Sequence, residues 1–256
     1  MRKHVLLIYV LFFLTTTFSQ EKKVAFKGGE SLRFKMSYSG FLRAGTAVLE
    51  VEETELNGKK VFHTTGTGWT SGMIKWFFEV DDTYESYFDK DTIKPYLFKR
   101  KINEGGYKKH RITSFNHKAK TAYVQDFTSQ KDTSIVFSNI QDMLSSFYYL
   151  RTIDTKELKK GDEIKLDMFM DFQVYPFKLL FVGREVLKTK FGKVNSLVFK
   201  PLVQSGRIFE AEESVTIWIT DDANKIPIKM NASLAVGSLR AELEAHKGLA
   251  NPFGEI

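Results

Sequence analysis

The stretch SLRFKMSYSGFLRAGTAVLEVEETELNGKKVFHTTGT, residues 31–67, decides the fold class. Apolar side chains alternate with polar ones along two runs, at Leu32, Phe34, Met36 and Tyr38 and then at Ala47, Leu49 and Val51. Period-two alternation is typical of strands that bury one face. The dipeptide Asn57-Gly58 favours a two-residue hairpin turn. Residues 61–67 are therefore predicted to return beside the second run.

The same alternation recurs along most of the chain. The further runs span residues 83–88, 96–102, 109–115, 120–126, 164–170, 177–186, 196–200, 215–219, 226–236 and 239–243. Many short strands separated by turn residues are typical of antiparallel sheets. The sequence therefore predicts a mainly β protein built on a single curved antiparallel sheet, either a sandwich or a half-barrel.

One segment breaks the alternation and shows helical spacing instead. Its apolar residues are Ile140, Met143, Leu144, Phe147 and Tyr148. Ser138 and Gln141 stand three residues apart in the pattern of a capping box, which marks the beginning of a helix. We therefore expect one helix near residues 138–152, with an apolar stripe wide enough to cover a face of the sheet.

The N-terminus has the three parts of a secretory signal peptide. Arg2 and Lys3 are positively charged, residues 5–14 form an apolar run, and residues 15–19 are small and polar apart from Phe18. A membrane-spanning helix needs about 20 apolar residues, roughly twice the length of this run. We therefore expect residues 1–20 to be a signal peptide that is cleaved next to Gln20, and we expect no membrane span in the mature chain.

Cysteine is absent from the sequence, which bears on stability and on location. Without cysteine there is no lipidation site at the cleavage point, no disulfide framework and no thiolate metal site. The expected location is therefore the periplasm, in a form that is not a lipoprotein, with secretion as the second choice. We expect a single β-rich domain over residues 21–247 and a loose C-terminal tail over residues 248–256.

The net charge is positive but dispersed. The chain has 38 Lys and Arg against 31 Asp and Glu, and loss of Arg2 and Lys3 leaves 36 against 31. Basic residues occur in separate pairs such as Lys59-Lys60 and Lys108-Lys109. A nucleic-acid surface needs basic residues clustered on one face. We therefore do not expect nucleic acid as a partner.

Several short phrases follow one another in a characteristic order. They are GESL at 29–32 running to Tyr38, AGTA at 44–47, DTYESY at 82–87, IKP at 93–95, DML at 142–144, FYYLR at 147–151, IWITDD at 217–222, IPI at 226–228 and VGS at 236–238. Together they resemble the bacterial family of domain of unknown function 3108, in a form similar to that of Bacteroidetes-type bacteria. The resemblance extends over residues 28–243.

That resemblance implies an exported protein of mainly antiparallel β structure. It implies no established activity, so no catalytic residue is transferred to this chain. The fold that it implies is similar to that of the half-barrel carriers that escort lipoproteins across the periplasm. A fold of this kind does not by itself determine a function.

Residues for metal or cofactor chemistry lack the spacing that such sites need. Four histidines follow the N-terminal segment, namely His63, His110, His117 and His246. They form neither an H-x-H nor an H-E-x-x-H pattern. His110 and His117 lie on either side of a predicted turn, where they could approach each other. The sequence gives no reason to expect a metal or a cofactor.

Hydrolysis has one line of support. The sequence has no G-x-S-x-G nucleophile elbow. The pairs Asp81-Asp82 and Asp221-Asp222 could supply the acid and base of a glycan or peptidoglycan hydrolase, whose two carboxyl groups lie about 5–10 Å apart. However, neighbouring residues on a strand point to opposite faces, and acidic pairs at strand ends commonly form turns. An enzyme is therefore the alternative and not the leading hypothesis.

The segment from Trp69 to Phe78 is dense in large apolar side chains. The candidate ligand-binding residues are Trp69, Met73, Ile74, Trp76, Phe77 and Phe78. If exposed, they could form the mouth of a cavity for an acyl chain or a loop that dips into a membrane. Large aromatic side chains are usually buried, however. The residue types alone therefore favour a core strand or a helical turn.

These observations lead to three functional hypotheses. The leading one is a non-enzymatic periplasmic carrier or binding protein whose hydrophobic cavity takes a lipid, a lipidated protein or another envelope component. The second is the envelope hydrolase, and the third is a structural partner in an outer-membrane assembly. An apolar cavity of several hundred Å³ would support the first, and an exposed apolar patch or an open strand edge would support the third.

Overall fold

The computed structural model of the chain describes residues 24–202, 215–234 and 236–254. The strands found there are β1 (Glu30–Tyr38), β2 (Leu42–Leu56), β3 (Lys59–Thr70), β4 (Asp81–Asp89), β5 (Pro95–Glu104), β6 (Tyr107–Asn116), β7 (Thr121–Asp126), β8 (Lys131–Val136), β9 (Glu163–Met170), β10 (Gln173–Thr189), β11 (Gly192–Leu202), β12 (Val215–Thr220), β13 (Pro227–Ser233) and β14 (Ser238–Lys247). The helices are α1 (Ile74–Phe77) and α2 (Met143–Arg151). The predicted signal peptide of residues 1–20 lies outside the described residues.

All of the described strands belong to one antiparallel sheet. Its order is β8-β7-β6-β5-β4-β3-β2-β1-β14-β13-β12-β11-β10-β9, so β1 pairs with β14 near the middle. The outermost strands, β8 and β9, do not pair with each other, and the sheet is not closed into a barrel. The predicted mainly β fold with a single antiparallel sheet is confirmed. None of the described helices is long and apolar enough to span a membrane.

The first hairpins form as the sequence pattern predicts. Leu32 and Phe34 on β1 turn inward and are buried, while Arg33 between them is exposed. Asn57 and Gly58 have φ angles of 51° and 77°. Two consecutive positive φ angles match the twist of the flanking strands in a two-residue hairpin. The turn residues therefore fix the register of β2 against β3.

The helix α2 lies against the inner face of the sheet and joins its two halves. Leu144 packs into the cluster formed by β5, β6, β7 and β9, and Tyr148 packs into the cluster of β2, β3 and β4. Phe147 contacts the cluster around β1 and β13, and Leu150 contacts the cluster on β10 and β11. The covering helix expected near residues 138–152 is therefore present, and its side chains pack against all four apolar clusters of the sheet.

The segment before α2 spans the gap between the two edge strands. Gln141 donates its backbone N–H to Asp167 O at 2.9 Å and accepts the Phe169 N–H on its own carbonyl at 2.7 Å. The ring of Phe115 on β6 lies 5.7 Å from Phe169 and 6.2 Å from Phe137, measured between ring centroids. The sheet is therefore curled so that β9 contacts β6 through aromatic side chains and not through backbone hydrogen bonds.

Residues 249–254 near the C-terminus pack on the sheet. Asn251 donates its backbone N–H to Asn224 Oδ1 at 2.9 Å. The Phe253 ring stacks on His246 at 4.7 Å between centroids and also contacts Phe191. Residues without periodicity can therefore dock through individual side chains.

Candidate functional site

The aromatic segment singled out in the sequence forms the connection between β3 and β4. Trp69 lies in β3 and is partly buried, and Ile74, also partly buried, begins α1. The other four candidates are exposed, by 61% at Met73, 87% at Trp76, 85% at Phe77 and 52% at Phe78. The burial that the residue types favour is therefore wrong for these four side chains.

This connection is anchored at its base. Thr70 donates its backbone N–H to Val80 O at 3.1 Å, and the Val80 N–H donates to Thr70 Oγ1 at 2.9 Å. The Phe78 ring rests on Gly105 in the turn between β5 and β6, where an added Cβ would lie 2.6 Å from Phe78 Cε2. The exposed side chains are therefore presented by a loop with fixed ends.

Neighbouring turns bring further apolar side chains to the same edge of the sheet. The turns β13–β14, β1–β2, β3–β4 and β5–β6 share this edge because their strands are consecutive in the antiparallel order. Phe41 in the β1–β2 turn is 84% exposed, and Val236 in the β13–β14 turn is 77% exposed. Tyr38 Oη donates to Val236 O at 2.8 Å, which ties two of these turns together.

We call Phe41, Met73, Trp76, Phe77 and Phe78 the apolar rim. Phe41 was not among the residues predicted from the sequence. It directly follows Ser39 and Gly40, which both have positive φ angles. A phenylalanine at such a turn cannot be part of a strand's buried face, and this is the sequence signal that would have found it.

A second apolar feature lies between α2 and the inner faces of β9–β12. This groove has a volume of about 100 Å³. Its apolar walls include Phe147 and Leu150 from α2, Leu179 from β10, Phe199 from β11, and Ile217 and Ile219 from β12. Small-molecule pockets usually measure about 300–1,000 Å³. The groove is therefore smaller than the cavity expected of a carrier, and it can enclose only part of a lipid.

Arg151 borders the groove but is occupied by other contacts. Its guanidinium is 3% exposed and pairs with the Glu30 carboxylate, which is 1% exposed, through contacts of 2.5 and 2.8 Å. Nε donates to Asn224 O and Nη2 donates to Ala25 O, each at 2.9 Å. A buried guanidinium with these partners has little left to offer a ligand. Arg151 instead ties the end of α2 to β1 and to the β12–β13 turn.

The acidic pair on β4 does not form an acid–base pair. Asp81 is exposed, whereas Asp82 is buried and accepts the Asn103 backbone N–H at 3.0 Å. Burial raises the pKa of Glu104 on the next strand, and the hydrogen bond between Glu104 and Asp82 raises it further. The Asp82 carboxylate is therefore hydrogen-bonded to the backbone of β5, and its side chain lies on the face opposite to Asp81.

The second acidic pair belongs to the β12–β13 turn. Asp222 Oδ1 accepts the backbone N–H groups of Asn224 and Lys225, each at 2.9 Å. Asp221 Oδ2 accepts from Arg184 Nε at 3.1 Å. These carboxylates hold a turn, as acidic residues at strand ends commonly do. In both pairs at least one carboxylate is therefore engaged in structural contacts.

The histidines make separate contacts. His63 Nε2 lies 3.1 Å from Glu85 Oε2, and His117 Nε2 lies 2.6 Å from the Pro95 carbonyl oxygen. His110 stacks on Phe127 and does not join His117. Across residues 24–202, 215–234 and 236–254, no three His, Asp or Glu side chains form a group that could hold a metal ion.

Comparison with protein families gives one match that spans most of the chain. The family model is described as a protein of unknown function, DUF3108, and it matches residues 33–244. This agrees with the family that the sequence phrases indicate. No curated protein matches the chain.

The solved structures that match this chain are distant from it in sequence. A β-barrel-like protein of domain of unknown function DUF1849 from Brucella abortus has 10% identity and a TM-score of 0.53, covering 86% of this chain and 97% of its own. A candidate lipoprotein from Parabacteroides distasonis has 10% identity and a TM-score of 0.33, covering 89% and 100%. A candidate exported protein with a YmcC-like fold from Bacteroides fragilis has 10% identity and a TM-score of 0.31, covering 88% and 98%. The first of these similarities concerns the fold alone.

Proposed function

We propose that this chain, which belongs to the DUF3108 family of proteins of unknown function, is an exported, non-enzymatic binding protein that docks on envelope lipid through its apolar rim. The single observation that carries the proposal is the exposure of Phe41, Trp76 and Phe77 by more than four fifths at one edge of the sheet. Adjacent exposed aromatic side chains are unusual on a soluble protein and mark a surface that contacts something apolar.

The residue types of the rim favour a lipid surface. Tryptophan is enriched where membrane meets water, because its ring is apolar and its N–H remains hydrated. Removing one large apolar side chain from water contributes about 1.5–3 kcal/mol. Several rim residues inserted together would give an attachment comparable to that of a single myristoyl chain, which is marginal and reversible. We therefore expect reversible docking and not permanent insertion.

Charge contributes little at the rim. Lys75 within α1 forms an ion pair with Glu79 at 3.2 Å, and Arg43 beside the β1–β2 turn pairs with Glu244 at 3.1 Å. These pairs offset the charges of Lys75 and Arg43, and burial of the apolar side chains is expected to be the larger contribution to docking. Docking is therefore expected to persist at high salt concentration.

Export and location belong to the same proposal. The N-terminal segment has the charge, apolar run and small residues of a signal peptide. The absence of cysteine leaves no site for a lipid anchor. We propose that the rim is the surface through which the exported protein reaches the membrane. Secretion stays the second choice.

The test is sedimentation of the mature protein with vesicles of phosphatidylethanolamine and phosphatidylglycerol. The double variant Trp76→Ser with Phe77→Ser should lose most vesicle binding, at least about tenfold in affinity, since about 1.4 kcal/mol corresponds to a factor of ten. The matched control is Val136→Ser with Val186→Ser, which removes exposed apolar side chains from β8 and β10. Equal sedimentation of wild type, rim variant and control would refute lipid docking.

The structural-partner hypothesis is favoured by a different feature, the outer edge of β8. This strand pairs only with β7 among the described residues, and Val136 on it is 77% exposed. An unpaired strand edge can accept a strand from another protein. Ser134→Pro should abolish such strand pairing and should leave vesicle binding unchanged. This result separates pairing at β8 from lipid docking at the rim.

A further inference from the structure

Lys225 is a charged residue in the lining of the apolar groove under α2. The groove walls on β11 and β12 are built from paired residues, with Leu197 opposite Ile219 and Phe199 opposite Ile217. Leu197 and Phe199 are fully buried, whereas Ile217 and Ile219 remain partly exposed. The groove is therefore apolar at its base and partly open to solvent along β12. Lys225 is one of the residues that line the groove.

The backbone holds Lys225 in place at the groove. Its φ angle is 48°, and its N–H donates to Asp222 Oδ1 at 2.9 Å within the β12–β13 turn. The preceding residue, Asn224, is buried and bonded to the tail at Asn251. The turn that carries the Lys225 side chain is therefore held by hydrogen bonds to Asp222 and to the C-terminal tail.

Among the residues that the structure describes, the Lys225 ammonium has charged neighbours but no ion-pair partner. No described carboxylate oxygen lies within ion-pair distance of its Nζ. Burial lowers its pKa, and so does Arg151, whereas Asp154, Asp221 and Asp222 act in the opposite direction at longer range.

These three acids are engaged elsewhere. Asp222 holds the turn, Asp221 pairs with Arg184, and Asp154 accepts the Lys156 N–H at 3.0 Å. A half-buried ammonium beside an apolar wall is costly unless an anion pairs with it. Asp154, Asp221 and Asp222 keep their negative charge but make no direct ion pair with this ammonium, so a single negative group attached to an apolar body could pair with Lys225 directly.

We propose that the groove binds the alkyl chain of a medium-chain monocarboxylate, a free fatty acid, whose carboxylate pairs with Lys225. The proposal rests on the proposed binding function and names a ligand class and a site separate from the rim. The enclosed volume of about 100 Å³ is well below the 300–1,000 Å³ of usual small-molecule pockets. It therefore encloses only a short stretch of the chain, and the remaining methylenes lie along the partly exposed Ile217 and Ile219.

The test compares decanoate with its neutral amide, decanamide, by isothermal titration calorimetry on the mature protein. Wild type should bind decanoate more tightly, because a hydrogen bond to a charged group is stronger than one between neutral groups. Lys225→Met should weaken decanoate about tenfold and leave decanamide unchanged. Methionine keeps the length and unbranched shape of lysine at a position with positive φ. Lys193→Met, at the exposed start of β11, is the matched control and should change neither ligand.

A second measurement locates the ligand without any variant. With isotope-labelled isoleucine methyl groups, decanoate should shift the signals of Ile164, Ile217 and Ile219 in the groove and leave Ile112 on β6 unchanged. Failure of these shifts, or equal weakening of decanoate and decanamide by Lys225→Met, would overturn the proposal. Loss of vesicle binding by rim variants that still bind decanoate supports both sites. Vesicle binding in a protein that takes up no decanoate leaves docking standing and removes the groove site.

Discussion

At the scale of single residues, the buried carboxyl group of Asp142 has the clearest consequence. Its Oδ1 caps α2 by accepting the Leu144 and Ser145 N–H groups at 2.8 and 2.9 Å, and its Oδ2 accepts Ser86 Oγ at 2.6 Å. Burial nevertheless raises the pKa of Asp142 from 3.8 to about 6, against the lowering effect of these hydrogen bonds. The folded protein therefore holds the proton on this group more tightly than the unfolded chain does.

We predict that Asp142→Asn changes the pH dependence of stability. Because the folded pKa is raised, the stability that protonated Asp142 contributes is complete below about pH 4 and is lost as the pH rises through about 6. Asparagine is an equally good helix N-cap and cannot ionise. The free energy of unfolding of the variant, relative to wild type, should therefore rise between pH 4 and pH 7, by up to roughly 3 kcal/mol.

Urea unfolding of both proteins at the two pH values measures this change. Asp91→Asn, in the exposed turn after β4, is the control for removal of a carboxylate. A difference between Asp142→Asn and wild type that is the same at pH 4 and pH 7 would show that Asp142 does not titrate in this range.

Residue roles of this kind could not be predicted from the sequence. The phrases DML and FYYLR were recognised as family features and as a helix, but their partners lie far away along the chain. Ser86 is 56 residues from Asp142, and Glu30 is 121 residues from Arg151. Neither separation follows from local periodicity. The sequence predicted where the helix lies, and only the fold shows what its two ends bind.

At the scale of elements, strand pairing explains where the helix prediction was inaccurate. Ser138 and Gln141 were predicted as a capping box, whereas the observed box joins Asp142 and Ser145. Gln141 instead pairs its backbone with β9 through Asp167 and Phe169. A residue whose N–H and carbonyl are both taken by a strand cannot begin a helix. The apolar spacing was right, and a contact distant in sequence moved the start.

The exposed loop shows the reverse situation. The sequence identified the candidate segment from Trp69 to Phe78, and the structure keeps its large side chains together at one edge. Their exposure could not be predicted, because composition does not reveal that β3 ends at Thr70 and β4 begins at Asp81. Between those points the chain leaves the sheet, and most of its large apolar side chains stay more than half exposed.

The contact of α2 with the sheet depends on a glycine on β3. A Cβ at Gly66 would lie 3.2 Å from Leu144 Cδ2 and 3.1 Å from Leu49 Cδ2. We predict that Gly66→Ala lowers the free energy of unfolding by about 1–3 kcal/mol, because the added methyl group overpacks the interface between helix and sheet. Thermal or urea unfolding measures the loss.

Gly68, two residues along the same strand and on the same side of it, provides the matched control. A Cβ there meets no atom within 4 Å, so Gly68→Ala should be neutral or slightly stabilising through the unfolded chain. Equal effects at both positions would mean that strand propensity, and not packing against Leu144, determines the cost.

At the scale of the whole molecule, the open sheet is held curled by charge as well as by α2. Asp171 in the β9–β10 turn accepts hydrogen bonds from Arg100 on β5 and from Lys109 and Arg111 on β6. Arg111 also pairs with Asp126 at 2.6 Å. These contacts join the turn between β9 and β10, at one end of the sheet, to β5 and β6 in the other half of the sheet. Since β8 and β9 do not pair, the side-chain hydrogen bonds of Asp171 help to hold the two halves of the open sheet together.

We predict that Asp171→Asn loosens this closure in a pH-dependent way. Burial alone would raise the pKa of Asp171, but Arg100, Lys109 and Arg111 outweigh it, and the pKa lies below its usual value of 3.8. The stability from this group is therefore present above about pH 4 and is lost as the pH falls through the lowered pKa. Because Asp171 is 37% exposed, solvent screening limits the cost of the variant at pH 7 to about 1–2 kcal/mol.

Asparagine tolerates the positive φ of 48° at this position, so the turn itself should survive and the change isolates the charge. Hydrogen exchange should then show faster opening of β9 and β10 in the variant, while β2 and β3 near the centre of the sheet keep their protection. The difference in stability between variant and wild type should shrink as the pH falls below 4. If it stays constant, or if exchange quickens throughout the sheet, the three cations do not act through Asp171 to hold the two halves together.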